Sequence, residues 1–184
     1  MQTNGLTAKI EILRNSPLFI NPSDDYAMNE KQQILLVLTG HKPVSEVASG
    51  HWEPTETGRQ TVPDDSTKVS ELLESLGLAY HLRPSEHALD VTVSLDPALV
   101  TEYEQADEAT NVGRLFGYPE TAIAAYGTDD IMPIDEQDKI TEEAGLGDWS
   151  PFRFSRDHWQ DELALTQEWY GVIQQYGFED SPAD

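Results

Sequence analysis

The sequence predicts one α+β domain, mostly helical, with a small antiparallel sheet and a long C-terminal helix. Two observations lead to this prediction. Apolar residues recur at helical spacing in several segments, and the segment "ALDVTVSL" (88–95) alternates apolar and polar residues as a half-buried strand does. The stretch "RPSEHA" before it suits a hairpin connection, so the sheet is expected near residues 78–95. A chain of 184 residues can bury the core of one domain.

The N-terminal part, residues 1–63, is predicted to hold a helical segment and a long loop. Residues 7–15 and 28–39 have helical spacing, and the second segment ends at Gly40. Its run "ILLVL" also suits a buried strand, since a short apolar run does not distinguish the two structures. Residues 41–63 are rich in Pro, Gly, Ser and Thr, which favours a long loop.

The main α+β region is predicted to span residues 64–177. It begins with a helix whose first and last residues are both indicated by the sequence. Its apolar residues recur at i, i+3, i+4 and i+7: Val69, Leu72, Leu73 and Leu76. Gly77 is expected to end this helix. After the hairpin, Asp96 and Pro97 supply an N-cap acid and a proline at the first helical position. The helix that they open is expected to run as far as Gly117.

The sequence "GYP" at residues 117–119, here named the Gly-Tyr-Pro corner, predicts a sharp joint between two helices. Gly117 can take the left-handed conformation that closes the first helix. Pro119 suits the first position of the next helix, where Glu120 would lie in a favourable first turn. An acidic connector is expected over 127–149, then a helix opened by Ser155, and a disordered tail over 178–184.

Charge is the strongest compositional signal. Asp and Glu number 34 against 11 Lys and Arg, a formal net charge of −23. No basic stripe is present to neutralise phosphates, which argues against direct nucleic-acid binding. We expect a halophilic cytoplasmic protein, because high salt screens such self-repulsion. The alternative is a nucleic-acid mimic that presents carboxylates to a basic partner.

The sequence lacks the features of several other classes of protein. No apolar run approaches the ~18–20 residues of a membrane span, and no secretory signal is visible. The chain has no cysteine, so disulfides and zinc-thiolate sites are excluded. The histidines lack metal-site spacing, and no phosphate-loop, dinucleotide or nucleophile-elbow motif occurs, so we expect neither a metal nor a cofactor.

Two segments carry a resemblance to a known family: "GRLFGYPETAIAAY" (113–126) and "SPFRFSRDHWQDELALTQEWY" (150–170). Together they resemble a family of uncharacterised archaeal, haloarchaeal-like proteins that carry the Gly-Tyr-Pro motif, over residues 66–176. In that family a cysteine pair often follows the motif, where this chain has Thr121 and Ala122. The resemblance implies a shared fold, and it names no substrate.

Candidate site residues cluster in sequence around the corner and the start of the last helix. Five side chains are predicted to converge on one cleft: Arg114, Tyr118, Glu120, Arg156 and His158. In that arrangement Glu120 or His158 would act as acid or base, while arginines, including Arg153, would hold an anionic substrate. The alternatives are that Tyr118 is a buried plug of a tight corner, and that Arg153 and Arg156 pair with nearby carboxylates.

The last helix carries a wide aromatic surface. One stripe is expected to pack into the domain: Trp159, Leu163, Thr166, Tyr170 and Ile173. Trp169 and Tyr176 lie beside it and are predicted to face a protein partner, most simply another copy of the chain. These features favour a non-enzymatic binding or interaction domain, with a small enzyme acting on an anionic molecule as the alternative.

Overall fold

The computed structural model describes residues 3–19, 28–55, 58–85, 87–106, 112–147 and 149–179. Within these residues seven helices and four strands follow one another. In chain order they are α1 (Thr3–Asn15), α2 (Glu30–Leu38), β1 (Val44–Thr55), β2 (Gly58–Pro63), α3 (Ser66–Leu76), β3 (Ala79–Pro84), β4 (Leu89–Ser94), α4 (Pro97–Glu104), α5 (Glu120–Ala125), α6 (Ile134–Glu143) and α7 (Trp159–Gln175). The predicted single-domain α+β fold is confirmed, including the hairpin and the long C-terminal helix.

The sheet has the strand order β2-β1-β4-β3, and every pair is antiparallel. Its central strand β1 changes partner halfway along. Residues 44–49 pair with β4, whereas residues 50–55 pair with β2 on the other side. On β4 the alternating residues Leu89, Val91 and Val93 are buried, as their spacing predicts. They belong to the large cluster of buried apolar side chains from α1, α2, α3, β4 and α7, which is called the main core from here on.

The prediction of a long loop over 41–63 is wrong, because these residues form β1 and β2. Gly50 lies where β1 changes partner, and a Cβ atom there would be 2.9 Å from the carbonyl oxygen of Val62. Pro54 lies in the half of β1 that pairs with a single strand, a place where sheets tolerate proline. Of the Gly and Pro residues that favoured a loop, Gly50 therefore lies at the change of partner and Pro54 lies within β1. The others lie at or next to strand ends: Pro43, Gly58 and Pro63.

The run "ILLVL" is helical and lies at the centre of the main core. Asn29 caps α2 with a reciprocal capping box to Gln32. Burial of Ile34, Leu35 and Val37 is complete, so the helix is covered on all sides. A helix buried in this way shows no amphipathic period, which is why the sequence also suited a strand.

Several predicted boundaries need correction. Helix α4 ends at Glu104 instead of running to Gly117, and the intervening residues 107–111 lie outside the described residues. Pro119 is the N-cap of α5, one position earlier than predicted. The predicted connector over 127–149 contains α6, and α7 begins at Trp159, since Ser155 forms a β-bridge with Ile131.

The predicted tail also begins too early. Phe178 is buried in the main core, and its amide donates to the carbonyl of Ile173 across the end of α7. Gly177 has a positive φ of 64° and closes the helix, as predicted. Residues 180–184 lie outside the described residues.

Candidate functional site

Gly117 of the Gly-Tyr-Pro corner is left-handed as predicted, but it closes a turn at residues 112–117 instead of the helix opened at Asp96, which ends at Glu104. Gly117 has a φ of 78°, and its amide donates to the carbonyl of Arg114 at 3.1 Å. The amide of Tyr118 donates to the carbonyl of Gly113 at 3.0 Å, so the pair of bonds forms a Schellman motif. A Cβ atom on Gly117 would lie 2.9 Å from Cδ of Pro43, so the corner packs tightly against the residues before β1.

Tyr118 is largely buried in an aromatic cluster. Its ring centroid lies 5.7 Å from that of Phe116, 5.2 Å from that of Phe152 and 6.5 Å from that of Trp169. Burial raises the pKa of Tyr118 to about 12, so the phenol stays protonated at neutral pH. Tyr118 therefore forms part of the packing of the corner, as in the alternative interpretation of a buried plug.

A pocket of about 350 Å³ opens beside this cluster. Its walls are mostly apolar, with side chains from the corner, α5 and the segment before α7; they include Val112, Phe116, Tyr118, Ile123, Tyr126 and Phe152. Among the described residues of the lining, the charged one is Arg153. Thus two of the predicted ligand-binding residues, Tyr118 and Arg153, line one pocket.

The guanidinium of Arg153 is held by the backbone and not by a carboxylate. Its Nη2 donates to the carbonyl of Met132, and its buried Nε has no hydrogen-bond partner. Arg156 also donates to a carbonyl, that of Asp129 at 3.2 Å, and it is not among the described residues of the lining. Within the described residues neither arginine has an ion pair, so the predicted carboxylate pairing is not observed there.

Arg114 and Glu120 form an exposed ion pair with each other. The hydrogen bond from Arg114 lowers the pKa of Glu120. The carboxylate is therefore ionised, and both of its oxygens accept hydrogen bonds from Arg114. Neither residue belongs to the lining of the pocket. The pair ties the corner to the first turn of α5.

The predicted five-residue cleft does not form in this part of the chain. His158 is exposed as the N-cap of α7, where its backbone amide donates to Oγ of Ser155 at 3.2 Å. Of the five side chains, the pocket lining contains Tyr118 and none of Arg114, Glu120, Arg156 and His158. The enzymatic interpretation therefore lacks the geometry on which the sequence analysis based it.

Thr121 stands where the resembling family often has cysteine, and here it makes a buried polar contact. Its hydroxyl donates to Oε1 of Glu162 at 2.6 Å. Glu162 is fully buried and also accepts from the amide and the hydroxyl of Ser155, at 2.6 Å and 2.8 Å. The carboxylate thereby fixes α7 against α5 and the segment that carries Arg153.

The predicted partner-facing role of Trp169 is wrong. Its side chain is 1% exposed and lies in the main core, where it contacts the aromatic cluster around Tyr118. Tyr176 is half-buried, and its carbonyl accepts a hydrogen bond from Arg14 of α1. The width of the aromatic surface on α7 reflects contacts with two clusters of its own domain.

Lys42 is the residue that the sequence analysis missed. Gly40, with a φ of 78°, turns the chain at the end of α2, and the amide of Lys42 donates to the carbonyl of Leu36 at 3.1 Å. The side chain then enters the interior and is 2% exposed. A lone lysine between a helix and a strand carries no periodic or motif signal.

The ammonium of Lys42 lies in an aromatic cage. Its Nζ is 5.2 Å from the ring centroid of Phe116, 5.8 Å from that of Tyr118 and 6.0 Å from that of Trp169. We name these four residues the lysine cage. Nζ also contacts Oε1 of Gln33 at 3.3 Å, and burial lowers the pKa of Lys42 to about 7.

A second polar cluster, named here the Arg83 network, lies on the sheet. Arg83 of β3 pairs with Glu46 at 2.5 Å, and its guanidinium is 3.8 Å from Asp90 and 3.9 Å from Glu104. Tyr103 donates to the same Glu46 at 2.6 Å. Although these acids are close together, the described residues include no group of three or more His, Asp and Glu side chains arranged to hold a metal ion.

Comparisons with protein-family models, curated proteins and solved structures found no match to this chain. The resemblance to the archaeal Gly-Tyr-Pro family therefore stays a prediction. In the part of the chain that the structure describes, no helix is long and apolar enough to cross a membrane.

Proposed function

We propose that this protein is a non-enzymatic binding domain for a small molecule that has a flat apolar body and one carboxylate. The site is the pocket beside the Gly-Tyr-Pro corner. The observation that supports the proposal is Arg153, which has no carboxylate partner within the described residues and lines a pocket whose other described lining residues are uncharged.

Arg153 and Arg156 differ from the other arginines whose side chains are described, and of these two it is Arg153 that lines the pocket. Among the arginines whose side chains are described, Arg14, Arg83 and Arg114 each pair with a carboxylate. An anion in the pocket would lie beside the guanidinium of Arg153, which lines it, and would compensate its charge. Arginine suits this role because its planar fork matches a carboxylate.

The size and lining of the pocket restrict the ligand further. Its volume of about 350 Å³ lies in the lower part of the range of small-molecule sites, about 300–1,000 Å³. The rings of Phe116, Tyr118 and Phe152 offer surfaces for an apolar, flat body. One guanidinium that already donates to Met132 favours a monoanion over a phosphate dianion.

Binding of 3-phenylpropanoate tests this proposal, with its neutral amide as the matched probe, measured by calorimetry in about 2 M KCl. We expect the acid to bind more tightly than the amide by about 1.5–3 kcal/mol, the range of hydrogen bonds to charged groups. Arg153→Gln should remove this preference. Arg156→Gln is the control, because Arg156 lies outside the lining and should leave the preference intact.

Two results would contradict the proposal. The acid and the amide could bind wild-type protein equally, or Arg156→Gln could reduce the preference as much as Arg153→Gln does. Either result would mean that Arg153 does not recognise an anion in the pocket.

We also propose that the domain works in the cytoplasm of a halophilic archaeon. The net charge of −23 supports this, because the Debye length contracts to about 3 Å at 1 M salt and the acids then repel one another weakly. Thermal unfolding should occur at a higher temperature and more cooperatively in about 2 M KCl than in low-salt buffer. An equally high and cooperative transition at low salt would contradict the halophilic assignment.

A further inference from the structure

The lysine cage and the pocket share two of their walls. Phe116 and Tyr118 line the pocket, and the same two rings contact the ammonium of Lys42. Lys42 itself is not among the lining residues and is 2% exposed. Its charge therefore lies behind the aromatic wall against which an apolar ligand would pack.

We infer that Lys42 is a specificity-determining residue of this pocket: its buried positive charge, one aromatic layer away, strengthens the preference for an anionic ligand. This inference rests on the proposed function. It assigns Lys42 a contribution to anion preference that is separate from that of Arg153. Arg153 binds the anion by direct contact, whereas Lys42 acts on it through space.

Among the described residues, the groups that contact the ammonium of Lys42 include no carboxylate. Helix α2 presents the amide of Gln33 at 3.3 Å, and β1 presents the hydroxyl of Ser45 at 3.2 Å. Helix α7 presents Trp169, and the corner presents Phe116 and the protonated phenol of Tyr118.

A histidine, His41, precedes Lys42 in the chain and lies beside a carboxylate of α7. Its Nε2 lies 3.7 Å from Oε1 of Glu168 on α7, and its Nδ1 lies 2.9 Å from the hydroxyl of Thr39. Because histidine side chains titrate near neutral pH, His41 needs its own control in any experiment on the charge of Lys42.

The size of the effect follows from Coulomb's law. A ligand carboxylate on the far side of the shared rings would lie about 10 Å from Nζ, and at an effective dielectric of about 20 this changes affinity roughly tenfold. Salt screens buried charges much less than exposed ones, so the effect persists in concentrated KCl.

The preference for an anion should therefore depend on pH. Burial lowers the pKa of Lys42 to about 7, so the amine is charged below this value and neutral above it. Guanidinium groups and aliphatic carboxylates ordinarily keep their charges over this range. Affinity for the acid should fall as pH rises through about 7, and affinity for the neutral amide should not change.

The test is the affinity of wild-type protein for both probes at about pH 6 and about pH 8.5, where Lys42 changes from charged to neutral. We expect the acid to bind roughly tenfold more weakly at the higher pH. Lys42→Met should bind it at both pH values with the affinity of wild-type protein at the higher pH. His41→Asn should retain the pH dependence.

The outcomes separate this inference from the proposed function. If Arg153→Gln weakens acid binding but wild-type affinity is equal at both pH values, the role of Lys42 is wrong and that of Arg153 stands. If the acid has no advantage over the amide at either pH, the proposed function is wrong.

A measurement on wild-type protein covers the case in which Lys42→Met does not fold. By reciprocity, saturating 3-phenylpropanoate should raise the pKa of Lys42 by roughly one unit, observed by NMR of its side chain. The amide should leave that pKa unchanged. The same pKa with and without the acid would overturn the inference.

Discussion

Arg83 and Lys42 are two cations beside the same sheet, and their surroundings differ completely. The side chain of Arg83 is 53% exposed and contacts Glu46, Asp90 and Glu104. Lys42 is 2% exposed and contacts an amide, a hydroxyl and three aromatic rings. Within the described residues Arg83 is compensated by three carboxylates, whereas Lys42 has no ion pair and is enclosed by aromatic rings.

The two environments also differ in what they contribute to stability. Exposed ion pairs such as those of Arg83 contribute about 0–1 kcal/mol each, because water and salt screen them. Burial of the Lys42 ammonium is costly, because the interior solvates charge poorly and the cage replaces only part of the lost hydration. The Arg83 network should therefore tolerate substitution, whereas the cage should respond strongly to substitution and to pH.

The largest expected effect comes from removing a wall of the cage. Trp169→Ala should lower the free energy of unfolding by about 3–5 kcal/mol, since a fully buried tryptophan leaves a large cavity. Denaturant unfolding in high salt measures the loss. Tyr176→Ala is the control, because Tyr176 is the half-buried C-cap of the same helix. It should lower the free energy of unfolding by less. A loss for Trp169→Ala no larger than that of the control would contradict the core assignment.

The next effect is the pH dependence of stability that Lys42 confers. The pKa of Lys42 is about 7 in the folded protein against an ordinary 10.5, so between these values the unfolded chain binds more protons. Stability should therefore rise from about pH 6 to about pH 9 by about 3 kcal/mol, at about 1.4 kcal/mol per pKa unit. Lys42→Met should abolish this increment. Arg83→Met is the control and should retain the increase in stability with pH. If the increase persists in Lys42→Met, a group other than Lys42 causes it.

A smaller effect is expected at the corner that packs against the cage. Gly117→Ala should cost about 1 kcal/mol or more, because Gly117 has a positive φ and a Cβ atom would approach Pro43. Gly127 is the matched control, since its φ is 79° and no atom lies within 4 Å of its added Cβ. Thermal unfolding should show a larger loss for Gly117→Ala, and equal losses would mean that the corner relaxes around the methyl group.

The smallest effect is expected in the Arg83 network. Arg83→Met should change the free energy of unfolding by less than about 1 kcal/mol, because its partners and Arg83 itself are solvated. A double-mutant cycle with Glu46→Gln measures the coupling directly. A coupling of more than about 2 kcal/mol would remove the contrast with Lys42, because it exceeds the range of exposed pairs.

Local chemistry made much of the fold predictable. Helix α3 has regular apolar spacing, an acidic N-cap at Asp65 and a left-handed Gly77, so both its period and its ends are readable from the sequence. The corner is similar, because the positive φ of Gly117 follows from the residues next to it. In contrast, the pairing of β1 with β4 depends on residues far along the chain, which composition does not reveal.

The site was only partly predictable for the same reason. Tyr118 and Arg153 were identified from sequence and line the pocket, whereas Glu120 and His158 lie elsewhere on the surface. Proximity in sequence to the corner does not determine the direction of a side chain. Lys42 could not be found, since its burial is created by rings that follow it much later in the chain.

The change of partner along β1 has a consequence for self-association. Residues 50–55 have β2 on one side and, within the described part of the chain, no strand on the other. Bare strand edges of this kind recruit strands from neighbouring molecules and seed aggregates. Pro54 lacks an amide hydrogen and Glu53 is exposed and acidic, two features that discourage such recruitment. The proline that made this segment resemble a loop thus helps to keep the sheet from extending into other molecules.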